Sequence, residues 1–251
     1  MTNSLVPCNG RFPLLITLIT LFFTGSAVLS SLWGAGLLTL CLLLGVGMTL
    51  FCSWLLSVTL LRGEPASFTL ELPPYRRPQI GKVIVRSLLD RTLFVLGRSA
   101  AVAAPAGAVI WLMANLRIGD ASVLTCCAEF LDPLGRLLGM DGAILLAFVL
   151  GFPANEIVLP ILLMTYTAGG TLQEVSLPVL GQILSEHGWT WVTALCVMMF
   201  SLFHWPCSTT CLTVKKETGS RFWTGVAVVL PTLVGATLCL LLSTAARLFG
   251  I

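Results

Sequence analysis

Long apolar runs separated by short polar stretches dominate the chain. Windows at 12–32, 34–61, 98–116, 142–166, 189–205 and 223–249 reach or approach the ~20 apolar residues that a bilayer core requires, so the pattern predicts six spanning helices. Between the second and third windows the pattern changes. Residues 67–78 form an extended stretch with prolines and arginines, after which Lys82, Arg86 and Asp90 recur every four residues among Val83, Ile84, Val85, Leu88 and Leu89. That spacing predicts an amphipathic helix at the membrane surface, either a passive anchor or an element that receives force from a cytoplasmic partner. The expected fold class is an all-α polytopic membrane protein of about six transmembrane helices, some of them broken at proline, with one interfacial amphipathic helix. Its expected parts are 1–61 with a first motif and two spans, a cytoplasmic linker at 62–98, and 99–251 with the remaining spans.

Composition agrees with a lipid solvent: 57% of the 251 residues are hydrophobic and 10% charged, where a soluble domain carries about 25% charged residues. Arg11 before the first window and Ser26-Ala27 after it mimic a signal peptide, but the apolar run exceeds the usual ~7–15 residues and a retained helix is favoured. Arg62, Arg76, Arg77, Lys82, Arg86, Arg91 and Arg98 cluster between the second and third windows, which puts that loop in the cytoplasm. Six spans then place both termini inside, and Lys215, Lys216 and Arg221 fall on the outside, against the rule. Either the region after Cys207 is re-entrant or the bias is locally overruled. The net charge of +3 is spread through loops; it suits anionic headgroups and offers no tract for nucleic acid.

Of the nine cysteines, Cys41, Cys52, Cys196 and Cys239 fall inside apolar windows and no CxxC pair occurs, so most read as reduced thiols packed as small hydrophobes. Cys126 and Cys127 lie in a loop predicted outside, where either has the option of a disulfide partner.

Three places combine a helix-breaking proline with polar groups: Pro-Cys-Asn-Gly-Arg-Phe-Pro at 7–13, Gly-Phe-Pro-Ala-Asn-Glu-Ile-Val-Leu-Pro at 151–160, and His-Trp-Pro-Cys-Ser-Thr-Thr-Cys at 204–211. Proline inside a spanning helix removes a hydrogen bond and clashes one turn back, so Pro153 and Pro160 are expected to interrupt the fourth window near Gly151. Transporters use such breaks to build cation sites near the midplane. Glu156, with Asn155 beside it, is a carboxylate in an otherwise apolar stretch, and an ionisable group at that depth by default marks a pathway. The alternative is a structural Glu156, paired with an arginine or accepting backbone N–H groups. In the third motif His204, Cys207 and Cys211 stand at i, i+3 and i+7, one stripe on a continuous helix, with hydroxyls from Ser208, Thr209 and Thr210. Imidazole and thiolate suit transition metals, while packing residues are the plainer reading and Pro206 weakens the stripe. Cys8 precedes the first span in a short turn, and the run after it loosely echoes the second motif, as an inverted repeat would.

These three motifs together resemble the membrane region of the ferrous iron transport protein B family, including its two gate motifs. Gly63-Glu64-Pro65, the run Glu-Leu-Pro-Pro-Tyr-Arg at 71–76, and Gly-Trp-Thr-Trp-Val-Thr-Ala-Leu-Cys at 188–196 look like the same family in the same order. The resemblance implies Fe(II) uptake across the bacterial inner membrane, with Cys8, Asn155, Glu156, His204, Cys207 and Ser208 on the pathway or gate. It implies Cys8, Glu156 and Cys207 as metal ligands, with Fe(II) as the transported substrate and no permanently bound cofactor. Full-length members begin with a cytoplasmic GTP-binding domain and further membrane helices, whereas this sequence has no Gly-x4-Gly-Lys-Ser/Thr loop, so it is not expected to be a GTPase or another enzyme. The expected partners are a GTP-binding protein that supplies the missing N-terminal half, a small SH3-like accessory protein and the lipid bilayer; a homo-oligomer is one arrangement open to it. Two other readings stand beside this one, a nucleoside or organic-solute permease that shares the gate motif, and a truncated, non-conducting membrane subunit.

Overall fold

The computed structural model of the chain describes residues 5–24, 28–59, 79–119, 121–167 and 175–250. The extended stretch at 67–78, the two family runs at 63–65 and 71–76, and Ser26-Ala27 lie outside the described residues. The described architecture is helical: α1 (Phe12–Phe22), α2 (Val28–Thr59), α3 (Ile80–Arg86), α4 (Phe94–Asn115), α5 (Val123–Leu137), α6 (Gly142–Leu150), α7 (Val158–Tyr166), α8 (Leu177–Glu186), α9 (Trp191–Phe203), α10 (Ser208–Thr218) and α11 (Arg221–Leu248). One antiparallel turn of two short strands, Arg117–Ile118 with Ala121–Ser122, joins α4 to α5.

Helix forms in all six predicted windows, but fewer of them have the length to cross a bilayer. Among the described residues, three segments are long and apolar enough: Ser31–Thr59, Trp191–Thr218 and Arg221–Leu248. A fourth joins them if α5 and α6, bent by 109° relative to each other, are taken together. The segment predicted as an amphipathic helix is helical as α3, which runs through a π-helical turn, Ser87–Leu93, directly into α4.

The window at 142–166 does not run straight. α6 and α7 are nine residues each, about 13 Å of helix against a hydrocarbon core of about 30 Å. Their far ends meet, because Tyr166 at the end of α7 donates its hydroxyl to Asp141, the N-cap of α6. Their near ends meet too, since a Cβ on Gly151 would lie 2.5 Å from Val158. The two arms therefore form a hairpin with its tip at 151–157. Trp189 Nε1 donates to the Tyr166 hydroxyl at 2.8 Å, and Phe22 stacks on Trp189. These contacts gather the hairpin base, the end of α1 and the start of α9 at one end of the molecule.

Chain direction follows from that anchor. α2 leaves the Trp189 end, passes the first motif where Gly45 approaches the Leu5 carbonyl and Pro7, and finishes at the other end. α9 and α10 run the same way. Lys215, Lys216 and Arg221 consequently lie toward the end where α2 finishes.

The core is built from α1, α6, α7 and α9, with Leu15, Leu18, Ile144, Phe148, Ile161, Leu162, Met198, Leu202 and Phe203 fully buried. α11 lies against α9 through Gly235, where a Cβ would come within 2.8 Å of the Phe203 carbonyl oxygen.

Candidate functional site at three helix breaks

The three proline-containing motifs, far apart in sequence, meet in space. In the first, Cys8 caps a 3₁₀ turn, Asn9–Arg11, whose last residue leads into α1 with Pro13 in the first turn, where its missing N–H costs nothing. In the second, the chain leaves α6 at Gly151, passes Pro153 and makes a 3₁₀ turn, Asn155–Ile157, before α7. In the third, α9 stops at Phe203, His204 to Cys207 are non-helical, and α10 starts at Ser208. Pro206 has no N–H to continue α9, so the expected His204, Cys207 and Cys211 stripe is split and does not form.

Freed backbone groups at these breaks are satisfied across them. Arg11, 2% exposed, donates from Nη1 to the Leu202 carbonyl at 2.9 Å and from Nη2 to the carbonyls of His204 at 3.2 Å and Trp205 at 3.3 Å. A cation on the last carbonyls of a helix suits both their unmet acceptors and the negative end of the dipole. Ser208 links the second and third breaks, its N–H donating to the Phe152 carbonyl at 2.9 Å and its hydroxyl to the Pro153 carbonyl at 3.2 Å. Asn155 touches both other breaks, its side-chain amide lying 3.8 Å from Cys8 Sγ and 3.3 Å from His204 Nε2. The opposite ring nitrogen of His204, Nδ1, faces the carbonyls of Ser201 at 2.9 Å and Phe200 at 3.2 Å. A nitrogen facing two carbonyl oxygens carries a proton, which fixes the ring.

A cavity of about 390 Å³ opens where the breaks meet, lined by Cys8, Arg11, Asn155, Cys207, Thr210 and Thr213 together with Val6, Pro7, Pro206 and Val214. Cys207 occupies the N-cap position of α10, with the hydroxyls of Thr209 and Thr210 each 3.2 Å from its sulfur. Thiolate is the metal-binding form of cysteine, and such an anion accepts hydroxyl and N–H donors.

Of the residues singled out in the sequence, Cys8, Asn155 and Cys207 line this cavity. His204 is fully buried behind Asn155, and Ser208 is buried at the joint between two breaks. Glu156 is exposed at the tip of the hairpin and does not line the cavity; its Cγ lies 3.1 Å from where a Cβ on Gly10 would sit. Among the described residues no group of three or more His, Cys, Asp and Glu side chains is gathered for a metal. All nine cysteines are free, including Cys126 and Cys127, and Cys211 donates to the Pro206 carbonyl instead of facing the cavity. Arg11 and Thr213 are not legible in the sequence as site residues, and Thr210 is legible there only as a hydroxyl of the third motif.

A family model described as the ferrous iron transport protein B C terminus matches residues 38–90, and one described as Gate, nucleoside recognition, matches residues 98–221. The chain is similar to the C-terminal membrane region of the ferrous iron transport protein B family, with its Gate domain. The Fe(2+) transporter FeoB of Staphylococcus aureus (strain MSSA476) is 28% identical over 257 residues, covering 96% of this chain and 35% of its own length. The Fe(2+) transporter FeoB of Methanocaldococcus jannaschii is 26% identical over 262 residues, covering 99% of this chain and 37% of its own. That of Leptospira interrogans (strain Fiocruz L1-130) is 24% identical over 250 residues, covering 89% and 35%. The chain thus spans little more than a third of the length of these relatives. No solved structure matches it. The Gate match contains the second and third breaks, so the family's membrane region includes two of the three walls of the cavity.

Proposed function

We propose that this chain is the membrane permease part of a ferrous iron uptake transporter of the bacterial inner membrane, and that Fe(II) passes through the cavity at the three breaks. The observation that carries this reading is the convergence of two thiols and an amide, Cys8, Cys207 and Asn155, on one cavity at hairpin depth. A borderline divalent cation accepts sulfur, nitrogen and oxygen ligands together. Cys8 and Cys207 are the sulfur ligands, Asn155 supplies an oxygen, and His204 and Ser208 hold the gate in register. Glu156 supplies the carboxylate on the approach to the site. The six apolar windows serve as six membrane-embedded elements, divided into 1–61, a linker at 62–98 and 99–251. A GTP-binding segment outside these residues, with a small SH3-like protein, supplies the nucleotide-driven motion, and the Fe(II) carried is substrate rather than resident cofactor.

The nucleoside description of the Gate model raises a second reading, an organic-solute permease. A nucleobase asks for aromatic faces to stack on, and none of the described residues lining the cavity is aromatic. Anaerobic uptake of radiolabelled Fe(II) in cells that lack their own ferrous transporter, with a GTP-binding partner co-expressed, separates the two. Uptake is expected to fall at least about tenfold in Cys207→Ser, as loss of a charged ligand of ~1.5–3 kcal/mol requires, and to fall in Glu156→Gln through loss of the carboxylate on the approach. Full uptake in both variants, or uptake of uridine but not Fe(II), would remove the iron reading.

The charge distribution orients the chain. Ten of its fourteen Lys and Arg residues fall in the linker or at 215–221, while Arg117, Arg136 and Arg247 fall toward the other end. The positive-inside rule puts the 215–221 turn in the cytoplasm and the Trp189 end outside. Lys216→Cys is expected to react with a membrane-impermeant maleimide only in inside-out vesicles, and Glu186→Cys only in right-side-out ones. Reaction of both from the same side would refute the hairpin topology.

A further inference from the structure

The cavity does not stop at the breaks. Its wall continues along α10 from Cys207 to Thr210, Thr213 and Val214, positions on one face of the helix, over about 10 Å of its length. α10 is the polar half of a segment long enough to cross a membrane, reading Ser-Thr-Thr-Cys-Leu-Thr-Val-Lys-Lys-Glu-Thr. Thr213 donates its hydroxyl to the Thr209 carbonyl one turn back at 2.9 Å. A hydroxyl whose proton is spent on the backbone presents only lone pairs to what lies beside it. Thr213 lines the cavity, and a threonine oxygen is the ligand type that hard and borderline cations take. Thr210 stands between it and the Cys207 sulfur, 3.2 Å from the latter.

The face has a mouth of matching sign. Glu217 follows Thr210 by seven residues and Thr213 by four, on the same side of the helix, and is exposed. Lys215 and Lys216 are rotated away from that line. The opposite side of the site is filled instead: the rings of Phe148, Phe200, His204 and Trp205 pack with centroids 5.0 to 5.9 Å apart, over buried Leu202 and Phe203.

We infer that the face of α10 bearing Cys207, Thr210, Thr213 and Glu217 is the lane along which a divalent cation moves between the three-break cavity and the 215–221 end, with the threonine oxygens as its ligands. The identity of the cation as Fe(II) rests on the transport reading above; the lane itself requires only a divalent cation. It adds residues to that reading and fixes the direction in which the cavity communicates.

Thiol labelling tests the lane without requiring transport. Thr213→Cys in membrane vesicles is expected to react with an impermeant methanethiosulfonate from the 215–221 side only, with Fe(II), kept reduced under anaerobic conditions, slowing the reaction about tenfold at saturation. Leu212→Cys, on the far side of the same helix turn, is the control and is expected to show no Fe(II) effect. In uptake assays the double variant Thr210→Val, Thr213→Val is expected to lose about tenfold in maximal rate, and Thr210→Ser, Thr213→Ser to retain it. No reaction at Thr213→Cys from either side, or reaction that Fe(II) leaves unchanged, overturns the lane even if the parent chain transports iron. Protection at Thr213→Cys in a chain that moves no iron supports the lane as a divalent-cation path and sinks the transport reading instead.

Discussion

Replacing Arg11 by methionine is expected to lower the thermal midpoint of the detergent-solubilised protein by on the order of 10 °C and to abolish Fe(II) uptake. The guanidinium is buried and spans three carbonyls, those of Leu202, His204 and Trp205. These lie at and just beyond the end of α9, where the helix supplies no N–H of its own. Methionine fills much of the volume but leaves the acceptors facing apolar surroundings, each such loss costing roughly 1–3 kcal/mol. Lysine keeps the charge, yet its compact ammonium cannot reach three acceptors in the planar fork that arginine offers, so Arg11→Lys is expected to fall between the two. The effect on transport has a geometric origin. Arg11 follows Cys8 by three residues and Cys207 follows Trp205 by two, so the same grip sets the distance across which the two thiols face one another. A methionine variant that melts and transports like the parent would show that the grip contributes nothing.

Why Arg11 escaped the sequence reading is physical. Beside an apolar window an arginine reads as a flanking charge, and only the fold brings the end of α9 to it. Proline with adjacent polar residues gave away all three breaks, because a missing N–H acts locally and needs no tertiary partner to be felt. Apolar length gave away where the helices lie. It could not give the hairpin, since hydropathy counts residues and carries no sign of direction; 25 apolar residues interrupted at Gly151 and Pro153 look the same whether the chain passes through or turns back. The usable hint was that each side of that break is only half a membrane long. Pro206 likewise undid the His204, Cys207 and Cys211 stripe, which assumed a helix that proline ends. Glu156 was visible as a costly residue, but in a 3₁₀ turn no periodicity tells which way a side chain points, and it does not line the cavity that Asn155, one residue earlier, helps to line.

The hairpin also sets the largest expected effect on folding. Gly142 begins α6 at the corner where α5 crosses it, and a Cβ there would lie 1.9 Å from the Ala128 carbonyl oxygen, 2.6 Å from the Asp132 nitrogen and 2.8 Å from its Cα. All three are backbone atoms of one helix, so no side chain can swing aside. Across the corner Gly135 is also tight, its own Cβ position 2.6 Å from the carbonyl carbon and oxygen of Asp141. The contact is closed by hydrogen bonds from Gly142 N to Asp132 at 3.2 Å and from Ile144 N to Asp141 at 2.7 Å. Gly142→Ala must push α5 off α6 by more than 1 Å, and overpacking of this kind costs about 3 kcal/mol or more. Because α6 carries the hairpin tip, a shift at its base displaces Asn155 from Cys8 and His204 as well. The expected result is a steep loss of folded protein in the membrane and, in what remains, loss of Fe(II) uptake. Gly225→Ala, where a Cβ meets nothing within 4 Å, is expected to be neutral or slightly stabilising, since alanine favours helix over glycine by about 1 kcal/mol. Parent-like yield and melting of Gly142→Ala would mean that α5 and α6 do not cross at this corner, and the base of the hairpin would have to be redrawn.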